Sequence, residues 1–224
     1  MRFFALILAF ACFVRAQDSA EQIPFFLSPA EDTAPQWVRD ARNEAFNARS
    51  GRSMIEPDES GLLPFTILDF GPTPELPYAN SDVIVVGNIT HLQPFLSADK
   101  KNIYTEYTLH VVQPVKNAVA VSVLTGDSLS LVREGGAARF SDGHVVQRVL
   151  RNGVEPVLNQ QYLLFLRYRA PLEAFSYKKI WLIRAGVMKA AYPDDVGREH
   201  AGTSEYSGKP LQEVLIILRN RIDR

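Results

Sequence analysis

Ser128 is the first residue to test for covalent chemistry, because it follows Gly126 and Asp127 and precedes Leu129. A serine becomes a nucleophile only when a positioned base takes its proton. No histidine lies three residues after an aspartate, and no two histidines have the His-x-x-x-His spacing of a helical metal site. The chain contains His91, His110, His144 and His200. The spacing therefore supplies neither a base nor a metal site, and we predict no catalytic, cofactor-binding or metal-binding residue.

The run 126–129 resembles the signature of the GDSL hydrolases, in which the serine is the nucleophile. That resemblance implies an Asp-x-x-His pair near the end of the chain, and this sequence lacks one. Ser128 and Ser130 also alternate with leucines, which predicts a strand with the hydroxyl on an ordinary pleated face instead of a strained turn. We interpret the match as coincidental and keep a serine hydrolase that uses Ser128 as an alternative.

Two further groups of polar residues leave alternatives open. Glu106, between Tyr104 and Tyr107, is a functional carboxylate or the polar side of a strand. A short helix is predicted over 35–48, capped by Thr33 or Asp32, with Trp37, Ala41 and Ala45 along one side. Its stripe of arginines either binds an acidic surface or forms a solvated face offset by Asp40 and Glu44. The stripe consists of Arg39, Arg42, Arg49 and Arg52.

An acidic loop at 194–200 concentrates oxygen and nitrogen ligands that could hold a hard cation such as calcium. The loop contributes Asp194, Asp195, Glu199 and His200. Their spacing is not the regular spacing of a calcium-binding loop, so an ordinary polar loop is the other interpretation. We predict no cofactor for this chain.

The first sixteen residues have the features of a secretory signal peptide. Arg2 precedes the apolar run Phe3–Val14, and cleavage after Ala16 would leave Gln17 first. The run is shorter than the roughly 20 residues that a spanning helix needs. We therefore predict a secreted or periplasmic protein with no membrane span after cleavage. The only cysteine, Cys12, lies in this segment, so the mature chain is predicted to be cysteine-free.

Charge and composition bound the mature chain further. Without residues 1–16 it has 22 basic and 25 acidic residues, which is not the footprint of a nucleic-acid-binding protein. Eight prolines between residues 17 and 80 predict an irregular extension. We divide the chain into the signal peptide (1–16), this extension (17–80), a β-barrel-like domain (81–206) and a terminal helix (207–224).

Strand signals dominate the predicted domain. The apolar runs at 83–86 and 162–166 are typical of buried strands, and 102–112 alternates as a half-buried strand does. Shorter strands are predicted at 128–132 and 144–150, and 181–183 with 187–191 forms a terminal hairpin. Closely spaced strands without helical periodicity between them predict a mainly β fold, a small antiparallel barrel or sandwich.

The end of the chain has the pattern of an amphipathic helix that starts near Pro210. The helix packs on the barrel or lies on a membrane surface. Its basic residues cluster at one end instead of lining a polar face, which favours packing. The apolar positions are Leu211, Val214, Leu215, Leu218 and Ile222.

A resemblance to known proteins rests on five strand and turn motifs: 82–87 (DVIVVG), 104–108 (YTEYT), 126–127, 135–136 and 162–166 (YLLFL). They resemble a group of uncharacterised exported bacterial proteins, for which the resemblance implies no function. More distantly, the first and last motifs resemble the OB-like barrel of tissue metalloproteinase inhibitors. The inhibitors act through an amino-terminal cysteine, which this mature chain lacks, so the resemblance implies the barrel and not the inhibition.

These features together predict an exported noncatalytic binding module of unknown ligand that recognises a protein partner. Its predicted binding residues lie in the connection 91–102, where Leu92, Phe95 and Leu96 interrupt polar loop chemistry. Such residues either cap the barrel or project as contact anchors. Besides hydrolysis, the remaining alternative is an envelope-structural protein tethered by its amino-terminal extension.

Overall fold

A computed structural model of the protein describes residues 32, 34–47, 74–117, 122–140, 143, 145–148, 155–190 and 204–223. The predicted signal peptide with Cys12, the acidic loop at 194–200, His144, Arg49 and Arg52 lie outside these residues. Within the described part of the chain, no helix is both long and apolar enough to cross a membrane.

Eight strands and two helices make up the described fold. The strands are β1 (Val83–Leu96), β2 (Ile103–Lys116), β3 (Ser128–Glu134), β4 (Gly136–Arg139), β5 (Val145–Arg148), β6 (Gln161–Arg169), β7 (Ala174–Arg184) and β8 (Val187–Ala190). The helices are α1 (Gln36–Ala45) and α2 (Leu211–Ile222), and a 3₁₀ turn at Ala170–Leu172 joins β6 to β7.

Five of the strands close into a barrel. Strands β1, β2 and β3 form an antiparallel meander, β6 pairs with the other edge of β1, and β7 pairs with β6. A parallel pairing between Leu131 of β3 and Phe175 of β7 closes the circle. The mainly β prediction is confirmed in its barrel form, and the closure adds one parallel contact to an otherwise antiparallel fold. Strands β4 and β5 form a separate two-stranded ribbon.

The barrel strands bury side chains on both faces. On β1, Val83 and Val85 point into the barrel, whereas Ile84 and Val86 point outward against α2. A strand covered on both faces needs apolar residues at consecutive positions, which explains the β-branched run at 83–86. On α2 the buried side chains are Leu211, Val214, Leu215 and Leu218, so the predicted packing of this helix on the barrel is confirmed.

Strand β1 corrects one sequence prediction. Residues 91–96 are not a connection but the second half of β1, and the connection is confined to 97–102. Ile89 still exchanges backbone hydrogen bonds with Asn159 and Gln160, just before β6. Beyond Ile89 the strand pairs only with β2, so this half is an edge where Pro94 needs no hydrogen-bonding amide. A register shift between Ile89 and His91 accommodates Thr90 as an extra residue.

The terminal hairpin was predicted correctly in place and type, although β7 begins seven residues earlier than predicted. Strands β7 and β8 are antiparallel, and Arg184 pairs with Val187 across a two-residue turn. Ala185 (φ 50°) and Gly186 (φ 73°) are both in the left-handed region that a type I′ turn requires. This hairpin brings the chain back to the base of α2, where Leu211 donates a backbone hydrogen bond to Gly186.

Leu215→Ala tests the packing of α2. Leu215 is 1 % exposed, and its truncation should lower the free energy of unfolding by about 2–5 kcal/mol, the range for removing a large core side chain. The neighbouring Ile216 is 58 % exposed, so Ile216→Ala should cost less than about 0.5 kcal/mol. Urea unfolding of both variants measures the difference, and equal losses would contradict the described orientation of the helix.

Candidate functional site

Helix α1 lies against the outer face of the barrel with its arginines inward. Val38, Arg39 and Arg42 are buried, whereas Trp37 is 57 % exposed. The helix was predicted in nearly the right place, but it begins after Pro35 without a side-chain cap, so the prediction of Asp32 as its cap is wrong. The alternative cap, Thr33, lies outside the described residues.

Arg39 binds three acceptors at once. Its guanidinium donates to both carboxylate oxygens of Asp32, to Glu106 on β2, and to the Tyr104 hydroxyl, with 2.8 Å between Nη1 and that oxygen. The same guanidinium carbon lies 3.6 Å from the ring centre of Phe95, a close cation–π contact. The planar guanidinium group of Arg39 therefore donates hydrogen bonds along its edge and contacts the Phe95 ring with its face.

Arg42 anchors the same carboxylate from the other side. Its Nη1 is 2.7 Å from Oε2 of Glu106. Its other nitrogens donate to the backbone carbonyls of Leu172 and Glu173, at 2.9 and 3.2 Å. Glu106 is thereby paired with two arginines, as a bidentate carboxylate pairs with guanidinium groups.

Aromatic stacking and the β1–β2 connection hold the carboxyl end of α1. The Tyr104 ring stacks with both Phe46 and Phe95, whose ring centres are 4.6 and 5.5 Å from its own. The Tyr104 hydroxyl donates to Oδ1 of Asn43 at 2.7 Å. Three hydrogen bonds from the connection 97–102 complete the contact: the Ala98 amide donates to the Asn43 carbonyl, the Asp99 amide to Oδ1 of Asn47, and the Asn102 side chain to the Phe46 carbonyl. We call Phe95, Tyr104, Glu106 and the carbonyls of Leu172 and Glu173 the helix-binding face.

The protonation states of Asp32, Arg39 and Tyr104 are stable at neutral pH. Burial alone would raise the pKa of Asp32, but its hydrogen bond from Arg39 and the nearby positive charges lower it overall. Burial lowers the pKa of Arg39, while hydrogen bonds to Asp32 and Glu106 raise it above its ordinary value. Burial also raises the pKa of Tyr104, which Arg39 opposes only in part. The phenol therefore stays neutral and can donate to Asn43.

The predicted binding residues occupy different surroundings. Phe95 is 9 % exposed, between Tyr104 and Arg39, so it is a contact anchor for a helix of its own chain. Leu92 is partly buried against the barrel interior, and Leu96 packs beside Ile103 and the β4–β5 ribbon. The structure brings only Phe95 into the helix-binding face.

The sequence left the role of the arginine stripe open, although a signal that favours binding was present. Positions 38, 39 and 42 share one side of a helix, whereas Asp40 and Glu44 lie on the other side and cannot offset those arginines. The interpretation as a solvated face is therefore wrong for Arg39 and Arg42. Their acidic surface is Glu106, the carboxylate whose role the sequence left open.

Strand register places a histidine beside Ser128. His110 of β2 pairs directly with Ser128 of β3, and Asn88 of β1 pairs with His110 from the other side. Backbone bonds at Val111 make the adjacent His110–Ser128 pair a non-hydrogen-bonded one, where Cα atoms are about 4.5 Å apart and side chains are closest. Both side chains are exposed, and no hydrogen bond joins them among the described contacts.

A second polar cluster lies inside the barrel. Arg133 of β3 donates a hydrogen bond to the hydroxyl of Tyr177 on β7, and Tyr107 and Tyr162 adjoin them. Glu155 faces this cluster, with its Oε1 buried and without a hydrogen-bond partner among the residues that the structure describes. Burial raises the pKa of the Glu155 carboxyl, and the positive charge of Arg133 opposes the rise only in part.

A groove beside Asp82 and a metal site are two other possibilities, and neither is well defined in the described part of the chain. A groove of about 430 Å³ contains Arg167 and Lys178 beside Asp82, but Asp82 is used to accept the Tyr168 amide at 2.8 Å, and the mixed charges define no ligand class. Within the described ranges, no three histidine, cysteine, aspartate or glutamate side chains come together as metal ligands would.

The chain matches no known protein-family model and has no significant relative among curated proteins. The likenesses to exported bacterial proteins and to metalloproteinase inhibitors therefore stay predictions. Function has to be argued from the helix-binding face and the His110–Ser128 pair themselves.

Glu155→Gln tests the interior cluster through pH. A carboxyl whose pKa is raised by folding binds its proton more tightly in the folded state than in the unfolded state. The contribution of Glu155 to the unfolding free energy of the wild type therefore falls as the pH rises above 4.5, the ordinary pKa of the carboxyl. Glutamine carries no such charge. The stability of Glu155→Gln relative to wild type should therefore increase between about pH 4 and about pH 8.

Urea unfolding across that pH range measures the difference. Glu205→Gln, at an exposed glutamate, is the matched control and should show no comparable trend. A wild-type-minus-variant difference that stays flat with pH would mean that Glu155 is solvated in the folded protein.

Proposed function

We propose that the chain is an exported, noncatalytic binding module that recognises a protein partner through its helix-binding face. The observation that carries the proposal is the way this face holds α1. A carboxylate, two carbonyls and an aromatic stack together bind two arginines of a helix, which is a recognition surface for an arginine-bearing helical segment.

The chemistry of the face supports selectivity. Glu106 accepts from two guanidinium groups spaced three residues apart, so a helix needs arginines at i and i+3 to satisfy both carboxylate oxygens. A lysine offers a point charge and cannot stack and bind bidentately as Arg39 does. Val38 adds an apolar contact beside the first arginine. The ligand class is therefore a helix containing Val-Arg-x-x-Arg.

The export of the module is part of the proposal and is supported by the charge, apolar run and small residues of the first sixteen positions. An extracellular or periplasmic site would suit recognition of a protein partner. A structural role for the extension remains compatible with the same contacts, because α1 belongs to that extension.

Peptide binding to a chain whose own helix is displaced tests the proposal. The full chain with Arg39→Glu and Arg42→Glu repels its own helix from Glu106 and leaves the face open. A fluorescent peptide with the sequence of residues 32–47 should bind this receptor, measured by fluorescence anisotropy. Wild-type protein should bind the peptide more weakly, because its own α1 competes.

Adding Glu106→Gln to the open receptor should weaken peptide binding about 10- to 100-fold, since hydrogen bonds to a charged group are lost. Glu205→Gln in the same receptor is the matched control and should leave affinity unchanged. A peptide carrying both arginine-to-glutamate changes should not bind. If no peptide binds the open receptor, or binding ignores Glu106, the proposed function is wrong.

A second candidate function is hydrolysis of an ester by Ser128, favoured by its cross-strand pairing with His110. The imidazole would take the serine proton, and the amide of Asn88, which pairs with His110 across β1 and β2, would orient the ring as an amide does in Cys-His-Asn hydrolases. The exposed sheet face gives the substrate little enclosure, which is why this function ranks second.

Hydrolysis of p-nitrophenyl acetate and butyrate by the full chain decides this candidate. Ser128→Ala and His110→Gln should each abolish the activity, whereas Ser130→Ala, at the next outward serine of β3, should leave it intact. Absence of hydrolysis above background, or equal activity in wild type and Ser128→Ala, removes the candidate.

A further inference from the structure

A long connection joins α1 to the barrel. Residues 48–73 join Asn47 at the end of the α1 segment to Pro74 at the start of the described domain, a stretch of 26 residues. An extended stretch of that length reaches about 90 Å. The connection is therefore long enough for α1 to reach the helix-binding face of a neighbouring copy.

Helix α1 depends on the face for its stability. It has ten residues and no side-chain hydrogen bond at its amino-terminal cap. Isolated helices shorter than about 12–15 residues are marginal in water. The hydrogen-bond donors of its buried Arg39 and Arg42 find their acceptors on the barrel and on Asp32. Such a helix either docks or loses its structure, and it docks wherever this face is offered.

The contacts of α1 with the barrel are side-chain and backbone contacts across an interface, and none of them needs the two parts to belong to one molecule. The same Arg39, Arg42 and Phe46 on a second chain would find the same Glu106 and Tyr104. A reciprocal exchange creates two identical interfaces related by a twofold axis, so the assembly closes as a dimer.

We propose that two copies of this chain pair by exchanging α1, so that each barrel holds the helix of the other. The inference rests on the proposed function, because it assigns a second copy of the chain as a partner of the same helix-binding face. A second copy fits the face because the two sides of the interface carry opposite charges: the face is acidic and the helix surface that enters it is basic.

Complementary charge reversal tests the exchange. One full-length variant carries Glu106→Arg, and the other carries Arg39→Glu with Arg42→Glu. In each variant alone, the face and the helix carry charges of the same sign, so the helix is repelled by its own barrel and by that of an identical chain. Each variant should therefore be monomeric by native mass spectrometry and light scattering. In an equimolar mixture, exchange pairs the reversed face with the reversed helix and the unchanged face with the unchanged helix. The heterodimer should become the main species.

Two controls accompany the mixture. Glu44→Arg makes the same substitution at an exposed glutamate on the solvent side of α1 and should neither block pairing of the wild type nor support a mixed dimer. All three changes in one chain should restore docking of α1, measured by hydrogen exchange of its amides. Wild-type chain alone should show a dimer fraction that grows with concentration and is lost in Glu106→Arg.

The proposal is overturned if the mixture stays monomeric while the three-change chain regains protection of α1, because the helix then docks only on its own barrel. It is overturned equally if the wild type stays monomeric up to about 1 mM, near the effective concentration that a tether supplies. Neither result touches the proposed function, which the peptide experiment decides separately. Failure of the peptide to bind would contradict the proposal that the helix-binding face recognises a helix.

Discussion

The pairing of Glu106 with Arg39 and Arg42 is the interaction on which the placement of the amino-terminal helix depends. Removing three charged groups from water costs several kcal/mol for each ion, roughly, unless every remaining donor finds an acceptor. Asp32, the Tyr104 hydroxyl and the backbone carbonyls after β6 supply those acceptors. The interface is therefore demanding in geometry: a helix that presents the wrong residues leaves a buried charge unpaired, which is far more costly than losing an apolar contact. Specificity follows from that penalty more than from the net attraction of the charges.

The two helices cover the barrel by different physical means. Helix α2 presents Leu and Val side chains to the outward residues of β1, β6 and β7, a contact with the character of a domain core. Helix α1 presents arginines to a carboxylate and to carbonyl groups, which resembles the polar contacts of transient interfaces. An apolar contact of the first kind holds α2 in place whenever the barrel is folded. A polar contact can exchange water for protein partners with a smaller change in free energy. This difference between the two contacts is the physical reason why α1, and not α2, could exchange with a partner.

The sequence predicts those parts of the fold in which local pattern and final surroundings agree. Val83–Val86 is apolar at consecutive positions because both faces are buried, and Leu215 lies at helical spacing because one side of α2 is covered. The second half of β1 could not be predicted in the same way, because Pro94 and the polar residues around it belong to an edge that only one neighbour pairs. The start of β7 was missed for a related reason, since Lys178 and Lys179 break the apolar signal of a strand that β6 and the closing contact hold. The candidate site required tertiary register: no spacing along the chain shows that Glu106 receives the arginines or that His110 lies beside Ser128.

The outer face of β2 brings the two candidate functions into one physical frame. Along this strand the outward residues change from buried Tyr104 through partly covered Glu106 and Thr108 to exposed His110. The gradient follows the position of α1, which covers the Tyr104 end and leaves the His110 end uncovered. Departure of α1 would uncover one continuous strip that carries an aromatic ring, a carboxylate, a hydroxyl and an imidazole in alternate positions of a single strand. A partner that replaced α1 would bind the Tyr104 and Glu106 end of this strip, and its length beyond the arginines would determine whether the end at His110 and Ser128 stays open to solvent.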